Sequence, residues 1–71
     1  MGKPSKLPRI LGKKIQRFRK MKKLTQEELA EKVGISTTYM GNIEQGLYTP
    51  SLKVLEKIAK QLHIKTGELL L

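Results

Sequence analysis

Apolar residues recur along the chain at the spacing of one helix face, and polar residues separate them into short segments. Leu11, Ile15 and Phe18 fall on one such face, while the lysines and arginines between them fall on the others. This period begins at Ile10 and predicts a first helix that runs to about Met21. Nothing alternates with the period of a β-strand over a useful length, so the pattern predicts an all-α protein.

The second predicted helix carries signals at both of its ends. Thr25 and Glu28 have the spacing of a capping box, in which each side chain bonds the main-chain amide of the other residue. The helix is therefore predicted over 26–33. Gly34 is the expected stop, because glycine tolerates the left-handed backbone that ends many helices.

The third predicted helix follows after a very short turn and spans 37–45, with Ser36 as its cap and Gly46 as its stop. Met40 and Ile43 are its expected inward residues. Two short helices joined by a glycine-containing turn cross steeply and leave one side of the second exposed. In a helix-turn-helix protein, that exposed side enters the major groove of DNA.

The residues expected on this groove-facing side are short and neutral. They are Thr37, Thr38, Gly41, Asn42 and Gln45. Such side chains approach base edges closely: Asn pairs with adenine through two hydrogen bonds, and a Thr methyl contacts the thymine methyl. On a lone amphipathic helix, the simpler interpretation is a solvated polar face. The capped helix that precedes this one and the turn at Gly34 favour DNA.

Two more helices complete the pattern. Ser51, after Pro50, is the expected cap of the fourth helix, and a short fifth helix is predicted over 66–70. The inward residues of the fourth helix share one face. They are Leu52, Leu55, Ile58, Ala59 and Leu62.

Positive charge is concentrated at the start of the chain. The net charge is +9, ten of the fifteen basic residues lie between Lys3 and Lys23, and no acidic residue precedes Glu27. This balance indicates a polyanionic partner. A solubilising tail is the simpler interpretation, and a membrane-surface helix would need a larger aromatic and leucine face. Because the groove-facing side of the third helix is neutral and the first segment is basic, base reading and charge neutralisation are expected in different parts of the chain.

The first residues predict an arm rather than a helix. Gly2, Pro4 and Pro8 lie among lysines, which favours a flexible basic arm over 1–9, ahead of a helix-turn-helix domain over 10–71. The sequence has no cysteine and no apolar run long enough for a membrane span or a signal peptide. We therefore expect a cytoplasmic protein with no membrane partner.

From Leu11 to Leu70 the chain resembles the lambdoid phage repressor family of helix-turn-helix domains, also called the XRE family. The motifs that carry the resemblance are Leu24-Thr25-Gln26-Glu27-Glu28-Leu29-Ala30, Gly34-Ile35-Ser36, Ile43-Glu44-Gln45-Gly46, Pro50-Ser51-Leu52 and Ile58-Ala59. The resemblance implies a compact five-helix bundle of the lambda-repressor-like type, in which the second and third helices form the DNA-binding pair. It also implies sequence-specific binding of double-stranded DNA by a transcriptional regulator, as a repressor, commonly as a homodimer on a two-fold operator.

The resemblance further implies roles for individual side chains. Thr37, Thr38 and Asn42 match base-reading positions, with Gly41 beside them. Gln26 matches a phosphate-contacting position at the start of the second helix, where the helix dipole favours an anion. Other residues are expected to contact phosphate or flanking groups. These are Ser36, Tyr39, Gln45, Tyr48 and Thr49.

A buried salt bridge between Arg19 and Glu44 is also implied. Both residues directly follow inward positions, Phe18 and Ile43, so both charges start at the edge of the core. An unpaired charge there would be costly. The alternative is that Arg19 points to a DNA phosphate and Glu44 is solvated.

The chain departs from the family pattern at two positions. Gly41 lies inside the recognition helix, where glycine costs roughly 1 kcal/mol relative to alanine. His63 stands where a glycine often ends the fourth helix, so a less regular end is expected there. The loop after the third helix also lacks the basic residues that some members carry.

Enzymatic chemistry has little support in the sequence. There is one histidine and no aspartate, and neither a metal-ligand spacing nor a glycine-rich phosphate loop is present. We therefore expect no catalytic activity, cofactor, metal or small-molecule ligand. The rival function is a protein-interaction module of the same fold, such as an antitoxin or a bridging coactivator, in which the third helix does not read bases.

Overall fold

A computed structural model describes residues 6–71 of the chain. These residues form five helices, as the hydrophobic pattern predicts, and the fold is an all-helical bundle. The helices are α1 (Leu7–Met21), α2 (Gln26–Val33), α3 (Thr37–Glu44), α4 (Leu52–Gln61) and α5 (Thr66–Leu70).

The first helix begins earlier than the hydrophobic period indicates. α1 starts at Leu7 rather than Ile10, and Pro8 lies in its first turn. Proline is compatible with a first turn because the N–H that it lacks has no partner within the helix there. Residues 1–5 of the predicted basic arm lie outside the described residues, so the division into an arm and a domain stays a prediction.

The capping box predicted before α2 is present. The Thr25 hydroxyl accepts the N–H of Glu28 at 3.0 Å, and the Glu28 carboxylate accepts the N–H of Thr25 at 2.8 Å. Hydrogen bonding of this carboxylate to the Thr25 backbone, and then to the Thr25 side chain, favours its charged form and lowers the pKa of Glu28. Gly34 ends the helix in the left-handed region, with φ +86°.

Serine caps open the next two helices, also as predicted. The Ser36 hydroxyl accepts the N–H of Tyr39 at 3.0 Å, and the Ser51 hydroxyl accepts the N–H of Val54 at 3.2 Å. His63 follows α4 with φ +58°, a left-handed conformation that glycine adopts more easily. This irregular end agrees with the departure noted at His63.

The core is formed by apolar residues from all five helices. Its largest fully buried side chains are Ile15, Leu29, Met40, Ile43, Ile58, Leu62 and Leu69. The prediction that Leu52 points inward is wrong, because its side chain is 64% exposed. Helical period sets the side on which Leu52 lies, but at the start of α4 the neighbouring segments cover Val54 only in part, and the first buried residue of the helix is Leu55. Within residues 6–71, no helix has both the length and the apolar character that a membrane crossing requires.

Candidate nucleic-acid interface

The inner side of α3 lies unusually close to the backbone of α1. A Cβ atom placed on Gly12 would be 2.4 Å from the main-chain oxygen of Glu44 and 2.5 Å from that of Ile43. No side chain fits at such distances, so α1 approaches α3 only because position 12 is glycine. The hydrophobic pattern does not indicate this contact. A glycine among the long side chains of α1 was the one available signal.

The ion pair expected between α1 and α3 is present and buried. Arg19 Nε donates to Glu44 Oε2 at 2.7 Å, and Arg19 Nη2 donates to Glu44 Oε1 at 3.0 Å. Arg19 is 7% exposed and Glu44 is 5% exposed. This two-point geometry holds the planar guanidinium against the carboxylate and so sets the orientation of α3 on α1.

The third nitrogen of the same guanidinium closes the turn before α2. Arg19 Nη1 donates to the main-chain oxygen of Leu24 at 2.7 Å. All three guanidinium nitrogens are therefore engaged within the fold. The alternative in which Arg19 points outward to a phosphate does not hold in this structure.

Gln26 is held on α3 instead of projecting freely from α2. Its Nε2 donates to Glu44 Oε1 at 3.0 Å, and its carboxamide lies beside Gly41. Gly41 is consequently buried, and the predicted exposure of this residue on the groove-facing side is wrong. The cause is tertiary: Gln26, from the neighbouring helix, covers the glycine. Neither contact has a signal in the sequence pattern.

The outer side of α3 carries the remaining candidate base contacts. Thr37, Thr38 and Gln45 are exposed, and Asn42 is half-buried. Thr38, Asn42 and Gln45 share one side of the helix, since they are spaced by four and then three positions. The structure therefore presents these short, uncharged side chains together, opposite the side that packs on α1.

The candidate flanking residues lie at the two ends of α3. Ser36 is exposed and caps the helix, while Tyr48 and Thr49 are exposed in the loop that follows it. The rings of Tyr39 and Tyr48 contact each other with centroids 6.1 Å apart. The main-chain oxygen of Asn42 accepts the N–H of Leu47 at 2.9 Å and so holds the start of this loop on α3.

Exposed cationic side chains lie on α1 and on the turn that follows it. Lys13, Arg17 and Lys20 of α1 are exposed. Lys14 is half-buried, and Arg19 is paired with Glu44 in the core. Lys22 and Lys23 are exposed too. They lie in the turn between α1 and α2. Lys3 lies outside the described residues. Positive charge is thus exposed on α1 and on the turn, as it is on lysines of α2 and α4, and α3 itself carries none of it.

Among residues 6–71, no group of three or more histidine and glutamate side chains is arranged to hold a metal ion. His63 is exposed at the end of α4, as expected for a surface residue. The outer side of α3 offers hydrogen bonding from neutral groups.

A helix-turn-helix family model matches residues 15–69 of the chain. The immunity repressor protein of Bacillus phage phi105 is 44% identical over 57 residues, which are 80% of this chain and 40% of the repressor. The HTH-type transcriptional regulator YazB of Bacillus subtilis is 42% identical over 60 residues, which are 84% of this chain and 87% of YazB. The chain thus spans less than half the length of the first relative and most of the second.

A solved structure of SinR in complex with DNA, in which SinR is described as the master regulator for biofilm formation, has the same fold. It superimposes with a TM-score of 0.81 at 38% identity and covers 84% of this chain and 97% of that one. The relatives are transcriptional regulators rather than enzymes. This chain belongs to the Cro/C1-type helix-turn-helix family, also called the XRE family.

Proposed function

We propose that this chain binds specific sequences of double-stranded DNA as a transcriptional repressor, with α3 in the major groove. One observation carries the proposal: α3 is fixed by buried polar contacts on one side and offers exposed, uncharged hydrogen-bonding groups on the other. Thr37, Thr38 and Asn42 are the proposed base contacts, and they suit direct readout in the major groove. Repression is supported by the name of the phage relative.

Phosphate contacts are proposed for the groups around α3. Gln26, Ser36 and Tyr48 lie at its borders, with Tyr39, Gln45 and Thr49 beside them. The exposed lysines of α1 and of the following turn supply positive charge without sequence information. Such a regulator acts on DNA in the cytoplasm.

A homodimer on a two-fold operator is the assembly that we propose. Exposed apolar side chains of α1 and α5 line one groove, among them Ile10 at 48% exposure and Leu70 at 59%. Among residues 6–71, the only charged side chain that lines this groove is Lys14, whose ammonium donates to the main-chain oxygen of Leu71. A second copy would cover this apolar patch. Sedimentation of the wild type and of Leu70→Lys, with and without operator DNA, tests this assembly.

Selection of preferred sites from random duplex DNA tests the function. We expect one preferred motif, and two inverted copies of it if the dimer forms. Affinity for the selected duplex should fall with salt, by about −0.9 in the slope of log affinity against log salt for each phosphate neutralised. A scrambled duplex of the same length is the control. Absence of duplex binding at low salt would instead favour a protein-interaction module, such as an antitoxin or a bridging coactivator.

A further inference from the structure

The carboxamide of Gln26 lies over Gly41, at the boundary between the two sides of α3. A Cβ atom placed on Gly41 would be 3.4 Å from Gln26 Oε1, and 3.9 Å from both Cδ and Nε2. The carboxamide oxygen is therefore the atom nearest to this position, and the carboxamide covers the glycine. Glu44 accepts the Nε2 hydrogen bond one turn further along α3. Gly41 and Glu44 together form a seat for Gln26.

We propose that Gly41 is a positioning residue for DNA binding, which acts by leaving room for the Gln26 carboxamide on the recognition helix. A primary amide has two N–H donors and a carbonyl acceptor. Glu44 takes one N–H, so the seated amide holds the other donor and its oxygen in a fixed orientation at the border of the DNA-facing surface. The conformational entropy of that side chain is then lost when the free protein folds, and it is not lost again when DNA binds.

The geometry separates this role from a direct approach of DNA to the glycine. An alanine at position 41 would place its Cβ in ordinary van der Waals contact with the carboxamide, so Gln26 would stay seated. A longer side chain would need the space that the carboxamide fills. If the glycine instead served a close approach by DNA, alanine would already obstruct it. The inference rests on the proposed function, since the consequence of the seat is measured as DNA affinity.

The test is a size series at position 41 in two backgrounds. Gly41→Ala and Gly41→Leu are each made in the wild type and in Gln26→Ala, and affinity is measured on the selected duplex. We expect Gly41→Ala to stay within about twofold of the wild type. Gly41→Leu should lose about tenfold, as expected for one hydrogen bond to a charged group. In the Gln26→Ala background, Gly41→Leu should cause no further loss.

A second measurement reports the seat without DNA. The side-chain amide NMR signals of Gln26 in the free protein should shift in Gly41→Leu and stay near their wild-type positions in Gly41→Ala. Thermal melting checks that each variant folds, and Gly41→Ser replaces the leucine variant if that variant does not. If the wild type does not bind duplex DNA, the proposed function fails, while these amide signals still decide whether the seat exists.

Two outcomes would overturn the inference. In the first, Gly41→Ala weakens binding as much as Gly41→Leu does, so that any Cβ obstructs the DNA itself. In the second, Gly41→Leu loses as much affinity in the Gln26→Ala background as in the wild type, so that its effect does not pass through Gln26.

Discussion

The two sides of α3 are held in different ways. The inner side touches the α1 backbone at Gly12 and carries Glu44, which accepts three hydrogen bonds from Arg19 and Gln26. The outer side, with Thr38 and Gln45, is exposed. A substitution on the inner side should therefore be measured as a loss of folding stability, whereas one on the outer side should be measured in DNA binding at unchanged stability. Folding stability and DNA binding are therefore expected to depend on opposite sides of one eight-residue helix.

The largest effect is expected at the buried ion pair. Arg19→Met or Glu44→Leu alone should cost about 3–5 kcal/mol in the free energy of unfolding, because each leaves an uncompensated charge in the core. The double variant should be close to the wild type, since two apolar side chains of similar size replace the pair. Denaturant unfolding of all four proteins measures this. In a domain with a total stability of about 5 kcal/mol, each single change brings the protein close to unfolding.

The same variants should also differ in their affinity for DNA. A single variant that still folds should bind the selected duplex poorly, because Glu44 no longer holds α3 against α1. Small and additive shifts from the two single changes would mean that the pair contributes little. The inner side would then owe its rigidity to apolar packing alone.

The next effect is expected at the contact of α1 with α3. Gly12→Ala should cost about 3 kcal/mol, at the upper end of overpacking penalties, since the new Cβ meets main-chain oxygens that cannot move aside. Gly67→Ala is the matched control: its Cβ would have no neighbour within 4 Å, so stability should hold or rise by up to about 1 kcal/mol. Calorimetric melting compares the two variants. Equal melting temperatures for both would show that α1 can move away from α3.

The parts of this fold that could be predicted from the sequence are those with local signals. The capping box of Thr25, the stop at Gly34 and the serine caps depend on contacts within one turn of the chain, and they lie where they were expected. The resemblance to a known family supplied the Arg19–Glu44 pair.

The remaining features depend on which element lies opposite. Leu52 has the correct helical phase, but no neighbouring helix covers it, and Gly41 has the phase of an exposed residue but lies beneath a side chain of α2. Gly12 has no signature beyond its small size. The environment of each of these residues depends on whether a segment distant in sequence packs against it. A single sequence does not contain that information.

Two substitutions should separate sequence preference from overall affinity in DNA binding. Asn42→Ala should remove about 1–3 kcal/mol of discrimination at one base pair, since a bidentate contact to a base edge is lost. Gln26→Ala should weaken all sites about equally, because a phosphate contact carries no sequence information. Site selection repeated with each variant separates these outcomes. A changed motif for Gln26→Ala beside an unchanged one for Asn42→Ala would place the wrong face of α3 in the groove.

The smallest effect is expected where the two sides meet, at the cap of α3. Ser36→Ala removes the acceptor for the N–H of Tyr39, and Ser51→Ala removes the equivalent acceptor for Val54 at the cap of α4. Both changes should lower stability by about 1 kcal/mol, the usual value of a serine cap.

In the folded protein, the Ser36 hydroxyl accepts from Tyr39 and keeps its own O–H as a donor, which suits a phosphate oxygen. Ser36→Ala should therefore also reduce DNA affinity on every sequence, while Ser51→Ala should leave affinity unchanged. Melting and duplex titration of the two variants measure both quantities under the same conditions. Equal affinities would mean that Ser36 only shapes the helix, and that the DNA-contacting surface begins at Thr37.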